Sequence, residues 1–204
     1  MFVGIKTVVP ETFIDIDDEL KYFGGDPKKL NKAKKLFGYG RRYVVSENTT
    51  VCDLACNAAE RLFVEMNVNK SEIDLLVFVN QNPDYVAPCD ACVAHGMLAL
   101  GKQCMTIDIS LGCSGWPHAL MTAHALMASG GIRKALVLAG DAPSRVNHVE
   151  NRKKAQLFGD AASATLLEYD PGFEGVATFV CGTDGRGWDA IVRPFGGLRH
   201  PFTK

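Results

Sequence analysis

A cysteine stands where a strand-like run gives way to a tight turn and then to a long apolar helix: Asp108-Ile109-Ser110-Leu111-Gly112-Cys113-Ser114-Gly115-Trp116. Unpaired backbone N–H groups and aligned peptide dipoles at a helix start favour negative charge. A thiol placed there is expected to reach its thiolate form, the nucleophile that attacks a carbonyl carbon. Gly112, Ser114 and Gly115 are small, so the chain is expected to turn sharply and admit a substrate. The bland alternative is a small packed cysteine, which is what most free cysteines are. An α/β-hydrolase elbow spaces its residues G-x-nucleophile-x-G. Here the glycines fall immediately before Cys113 and two after it, so that register does not fit.

A second cysteine motif, Cys89-x-x-Cys92-x-x-His95, has the outline of half a zinc site. Structural zinc sites pair such a motif with another at matching spacing, and the sequence offers none. Incidental or buried helix cysteines are the expectation here, and equally for Cys52 and Cys56, four apart on one helix. No glycine-rich phosphate loop of Walker or dinucleotide type occurs, and residues 182–187 read as a plain loop. Neither a metal nor an organic cofactor is expected.

The elements that must position Cys113 follow from periodicity. Residues 2–9, 74–79, 105–109, 134–139 and 164–169 are short apolar runs of strand type. Residues 50–66, 91–100 and 114–129 carry apolar side chains at helical spacing and end near glycine or polar breaks. Residues 15–37 read as charged and irregular, leading into the loop Phe37-Gly38-Tyr39-Gly40-Arg41-Arg42. Strands alternating with helices predict an α/β fold: a mostly parallel five-stranded sheet with helices on both faces. The pattern thins after residue 171. The expected division is a domain over 1–171 and an incomplete segment over 172–204 leading toward a further half, with residues 176–180 a candidate strand.

Composition excludes several classes. The 204 residues are 47% hydrophobic and 22% charged, with 22 Lys+Arg against 23 Asp+Glu and a formal charge of −1. Neither nucleic acid nor an anionic lipid surface is an expected partner. Residues 109–132 lack formal charge, but histidines, glycines and serines dilute them too far for a membrane span. Seven scattered cysteines and no secretory leader point to a reduced, cytoplasmic protein.

Three stretches together resemble the ketoacyl-ACP synthase III family of the thiolase superfamily. The segment from Asp108 through Asp141 is similar to its nucleophile region. Leu157-Phe158-Gly159-Asp160-Ala161-Ala162-Ser163-Ala164 is similar to its F-G-D-G-A-G-A segment, with Ala161 and Ser163 in place of two glycines. The 37–42 loop is similar, more loosely, to its T-G-I-x-x-R. The resemblance spans residues 1 to about 190. It implies the nucleophile-bearing half of a thiolase-like fold, normally a homodimer, acting in fatty acid biosynthesis. Cys113 would take an acyl group from acyl-CoA as a thioester, with its backbone N–H in an oxyanion hole. Malonyl-acyl carrier protein would then lose carbon dioxide and attack that thioester. Arg152 matches an arginine at the adenine end of CoA, Arg42 and Phe158 are carried over as further CoA-side residues, and the family's stacking tryptophan is replaced near Lys32. Ala87 aligns with an aromatic at the end of the acyl tunnel. The family's catalytic His and Asn match none of His95, His118, His124, His148 and His200, so this chain alone is expected not to condense. A non-catalytic or half-site subunit of a heteromeric condensing complex is the alternative.

Overall fold

The computed structural model describes residues 1–147, 156–173, 175, 177–194 and 196–201. In chain order, β1 (Phe2–Val8) and β2 (Phe13–Asp15) lead into a 3₁₀ helix, Ile16–Phe23, and α1 (Pro27–Phe37). Next come β3 (Arg41–Tyr43), α2 (Val51–Met66), β4 (Leu75–Val79), α3 (Asp90–Met97) and β5 (Met105–Ile109). Then α4 (Gly115–Ala128), β6 (Lys134–Asp141) and β7 (Ala161–Glu168) complete the set.

Five strands form one sheet in the order β1-β7-β6-β4-β5. β4 is parallel to β5 and β6, whereas β7 opposes both β6 and β1, so four strands point one way and β7 is reversed. Every residue of β4 is buried, because helices cover both faces of a central strand and leave no side of it for polar groups. Leu76 and Phe78 join α2 and α3 in one core, and Leu75, Val77 and Val79 join α4 in the other. Alternate pointing of strand side chains divides the run LLVFV between these two layers.

α2 starts at a reciprocal cap: Thr50 Oγ1 accepts from the Asp53 N–H at 3.2 Å, and Asp53 accepts from the Thr50 N–H at 2.9 Å. Residues 15–37, expected to be irregular, instead hold the 3₁₀ helix and α1, closed around a small cluster of Ile16, Phe23 and Leu30. Asp26 accepts from the Lys28 N–H at 2.9 Å, Pro27 fills the first turn, and Gly38 ends the helix at φ 69°. The 37–42 segment is likewise not all loop, since Arg41–Tyr43 pairs with Phe13–Asp15 in a small antiparallel sheet.

The chain divides into two compact units, Met1–Phe173 and Glu174–Lys204. The second contains a 3₁₀ turn at Gly185–Gly187, capped by Asp184, and an isolated bridge between Gly197 and His200. No strand forms over residues 177–180, against expectation; Val176 lies outside the described residues.

Candidate active site

Cys113 is exposed and lies in the turn that carries the chain from β5 into α4. The Gly115 N–H donates to the Gly112 carbonyl at 2.8 Å, closing that turn around Cys113 and Ser114. α4 begins at Gly115 with Ser114 as its cap, so Cys113 sits one residue before the cap, outside the first helical turn itself. No side chain caps this helix start. His118 bonds the Ser114 carbonyl through Nδ1 at 2.8 Å, and the His118 N–H reaches the same oxygen at 3.1 Å.

The sharp turn forms as expected, and since neither Gly112 nor Gly115 has a positive φ, what demands glycine there is close packing. A Cβ on Gly115 would fall 2.3 Å from Val79 Cγ1, and one on Gly112 would fall 3.0 Å from Gln81 Oε1. α4 is pressed onto the end of β4, and the turn onto the loop that follows it. Trp116 adds a third attachment, its indole N–H donating to Thr165 Oγ1 on β7 at 3.2 Å.

β5, the strand that delivers the turn, is fastened on its other side. Asp108 accepts from the backbone N–H groups of Asp90 and Ala91 at 2.9 and 2.7 Å, capping α3 from the neighbouring strand. Asp90, fully buried, accepts from Asn80 Nδ2 at 2.8 Å and from the Asp84 N–H at 3.1 Å. Burial lifts its carboxyl to about 6, with the Asp84 and Asp108 charges adding to the rise and the two hydrogen bonds opposing it.

The remaining predicted residues are placed as follows. Arg42 donates through both terminal nitrogens to Glu19 at 2.6 and 2.7 Å, with side chains only 10% and 7% exposed. The guanidinium therefore joins β3 to the 3₁₀ helix before α1. Phe158 is half exposed. It adjoins Gly159, where a Cβ would lie 3.1 Å from the Tyr43 carbonyl and 3.5 Å from Arg42 Cβ. The structure thus brings Arg42 and the 158–159 segment together. Arg152 lies outside the described residues, as does His148. Lys32 is on the exposed face of α1, bordering a shallow groove with Lys28 and Lys35.

Sequence reasoning gave Asp160 no separate role, and it is a hub. Nearly fully buried, it accepts from the Val45 N–H at 2.8 Å, the Ser144 N–H at 3.0 Å and the Ser144 hydroxyl. An acid between small residues just before a buried strand was the available signal. Of the two alternatives for the second cysteine motif, buried or incidental, the structure excludes burial. Cys89 and Cys92 are exposed, with sulfurs 3.2 Å apart. His95 turns away to the Gly101 carbonyl, 3.1 Å from Nε2. Cys52 and Cys56 are buried, as expected. Among the described residues no helix is long and apolar enough to cross a membrane.

Comparison with known proteins adds a family. The family model for 3-oxoacyl-[acyl-carrier-protein (ACP)] synthase III matches residues 107–185, which include the Cys113 turn and the 157–164 segment. A Campylobacter jejuni protein named as a provisional 3-oxoacyl-[acyl-carrier-protein] synthase 3 is 40% identical over 199 residues, covering 97% of this chain and 56% of the relative. A Streptomyces coelicolor beta-ketoacyl-[acyl-carrier-protein] synthase III is 34% identical over 166 residues, covering 80% and 49%. A crystal structure of a 3-oxoacyl-(acyl-carrier-protein) synthase III superposes with a TM-score of 0.92 at 32% identity, covering 99% of this chain and 60% of that one. The chain spans about half the length of the curated relatives it matches.

Proposed function

Because this chain belongs to the 3-oxoacyl-ACP synthase III family, with its thiolase-like α/β fold, we propose that Cys113 carries the acyl group in a condensing acyltransfer. The Cys113 sulfur attacks the thioester carbonyl of an acyl-CoA; the C–S bond to CoA breaks, and CoA leaves as its thiol with the cysteine proton. The acyl-enzyme then receives the carbanion formed when malonyl-acyl carrier protein loses carbon dioxide; the acyl–sulfur bond breaks, giving a 3-oxoacyl product and a Cys113 thiolate that takes a proton from water. Splitting the condensation in this way replaces one difficult step with two accessible ones.

The observation that carries the reading is the exposed Cys113 in a turn fastened on both sides by Gly112 against Gln81 and Gly115 against Val79. Such fastening favours a fixed attack geometry. The Cys113 N–H serves as one oxyanion donor. CoA lies toward Arg152, Arg42 and Phe158, with the lysines of α1 as further cations for its phosphates; Arg42 acts from a guanidinium already clamped by Glu19. The decarboxylating His and Asn match no position in these residues, so the 204-residue chain by itself stops at the acyl-enzyme. Acyl carrier protein is the second partner, and the assembly is a homodimer.

The test is intact-mass and fragment mass spectrometry of the folded chain after incubation with acyl-CoA of several chain lengths. An acyl adduct on Cys113, absent from Cys113→Ser, is the expected result. A folded chain that takes no adduct from any of them overturns the assignment and favours a non-catalytic subunit.

A further inference from the structure

Cys89 and Cys92 have no part in that chemistry, and their arrangement is specific. Cys89 is the cap residue of α3, with extended backbone at φ −68° and ψ 151°, and Cys92 is the third residue of the helix. The Cys89 thiol donates to Cys92 Sγ across 3.2 Å, and both residues are exposed. A disulfide needs converging side chains, and these two sulfurs already meet at one helix start. Cys92 Sγ also meets Thr106 Oγ1 of β5 at 3.3 Å, which holds the sulfur on the strand side of the helix start.

We propose that Cys89 and Cys92 form a reversible dithiol–disulfide couple, oxidised by low-molecular-weight disulfides such as glutathione disulfide. Cys92, which receives the Cys89 hydrogen bond, loses its proton to solvent and attacks one sulfur of the small disulfide. That S–S bond breaks, and the departing thiolate takes the proton of Cys89. The Cys89 sulfur then attacks the Cys92 sulfur of the mixed disulfide and expels the second thiolate, which takes up the proton released at the start. Two protein thiols become one disulfide, and the small disulfide is reduced to two thiols, so atoms and electrons balance.

The surroundings set the direction of the couple. Disulfides are strong oxidants where the protein stabilises the reduced thiolate. Here the balance keeps the proton on Cys89: the hydrogen bond to Cys92 acts most, then partial desolvation, with the Asp108 carboxylate adding to them and the Cys92 backbone N–H opposing. The first two N–H groups of α3, which would favour a thiolate, are already taken by Asp108. Ring closure engages the Cys92 sulfur that meets Thr106 Oγ1 on the strand feeding the Cys113 turn.

The experiment needs no enzyme activity, so its outcome is separable from that of the acyltransfer reading. The folded chain is equilibrated with graded ratios of reduced to oxidised glutathione, quenched with iodoacetamide, and digested with trypsin. The peptide covering residues 71–102 contains Cys89 and Cys92 and no other cysteine. As the buffer becomes more oxidising, both sites are expected to lose alkylation together and the peptide to appear unalkylated and lighter by two hydrogens. Cys89→Ser is expected to trap the mixed glutathione disulfide on Cys92. Retention of both alkylation sites after Cys181 has been glutathionylated overturns the couple. So does separate glutathionylation of Cys89 and Cys92 without ring closure, or a crosslink seen only in the urea-unfolded chain.

Discussion

Gly115 lies so close to Val79 that a single added methyl would be 2.3 Å from the valine Cγ1. The start of α4 is thereby seated on the end of the central strand, and the position of Cys113 follows from that seating. Gly115→Ala is expected to lift α4 from the sheet and to cost about 1–3 kcal/mol, the usual penalty of overpacking a tight core. Thermal unfolding checks the stability. The rate of acyl labelling at Cys113 is expected to fall in the same variant and to recover in part when Val79→Ala is added.

Asp160 gathers three donors from two separate segments. Asp160→Ala leaves the buried Val45 N–H and the part-buried Ser144 N–H without acceptors, at an expected loss of about 2–4 kcal/mol. Asp160→Asn keeps one acceptor oxygen and is expected to lose less. Urea unfolding of the two variants ranks them.

The Arg42–Glu19 pair is nearly out of water. Removing one partner strands the other charge, so Arg42→Met is expected to cost about 3–5 kcal/mol, and Arg42→Met with Glu19→Leu to regain most of it. A double-mutant cycle reads the difference. If the same guanidinium touches CoA, the double variant, stable again, still needs more acyl-CoA to label Cys113 at half-maximal rate.

Asp90 gives stability a dependence on pH. Its folded carboxyl titrates at about 6, above the ordinary 3.8, so the folded chain holds a proton that the unfolded chain has released. The resulting stabilisation is complete below the ordinary value and is lost as pH rises through about 6. Asp90→Asn, which resembles the protonated acid, is expected to flatten that part of the profile. Melting temperatures from pH 4 to 7 show whether it does.

The sheet strands and the helices α2, α3 and α4 that cover them were legible because an interior strand buried on both faces is continuously apolar, and the helices against it present apolar faces. α1 was not, since it buries only Leu30 and its sparse apolar positions, Leu30, Ala33 and Phe37 among them, are outnumbered by lysines; Asp26-Pro27 and Gly38 were its readable ends. β7 was visible as a strand, but its reversed direction depends on pairing with β1, which no local pattern records. The Cys113 turn was legible from residue type, whereas the reason for its glycines was not: Val79 and Gln81 approach only through the fold. For Cys89 and Cys92 the sequence left burial open, because spacing alone does not reveal exposure.

The partnership of Phe2 with Leu167 and Val8 with Ala162 has a temporal side. During synthesis β1 leaves the ribosome long before β7 exists, and β7 is the strand through which β1 joins the sheet. Until then an apolar ribbon waits with both edges unpaired, the condition under which nascent chains stick to one another. Slowing translation ahead of residue 161 lengthens that wait, so yield of folded chain depends on elongation speed there and on chaperones that shield an N-terminal strand.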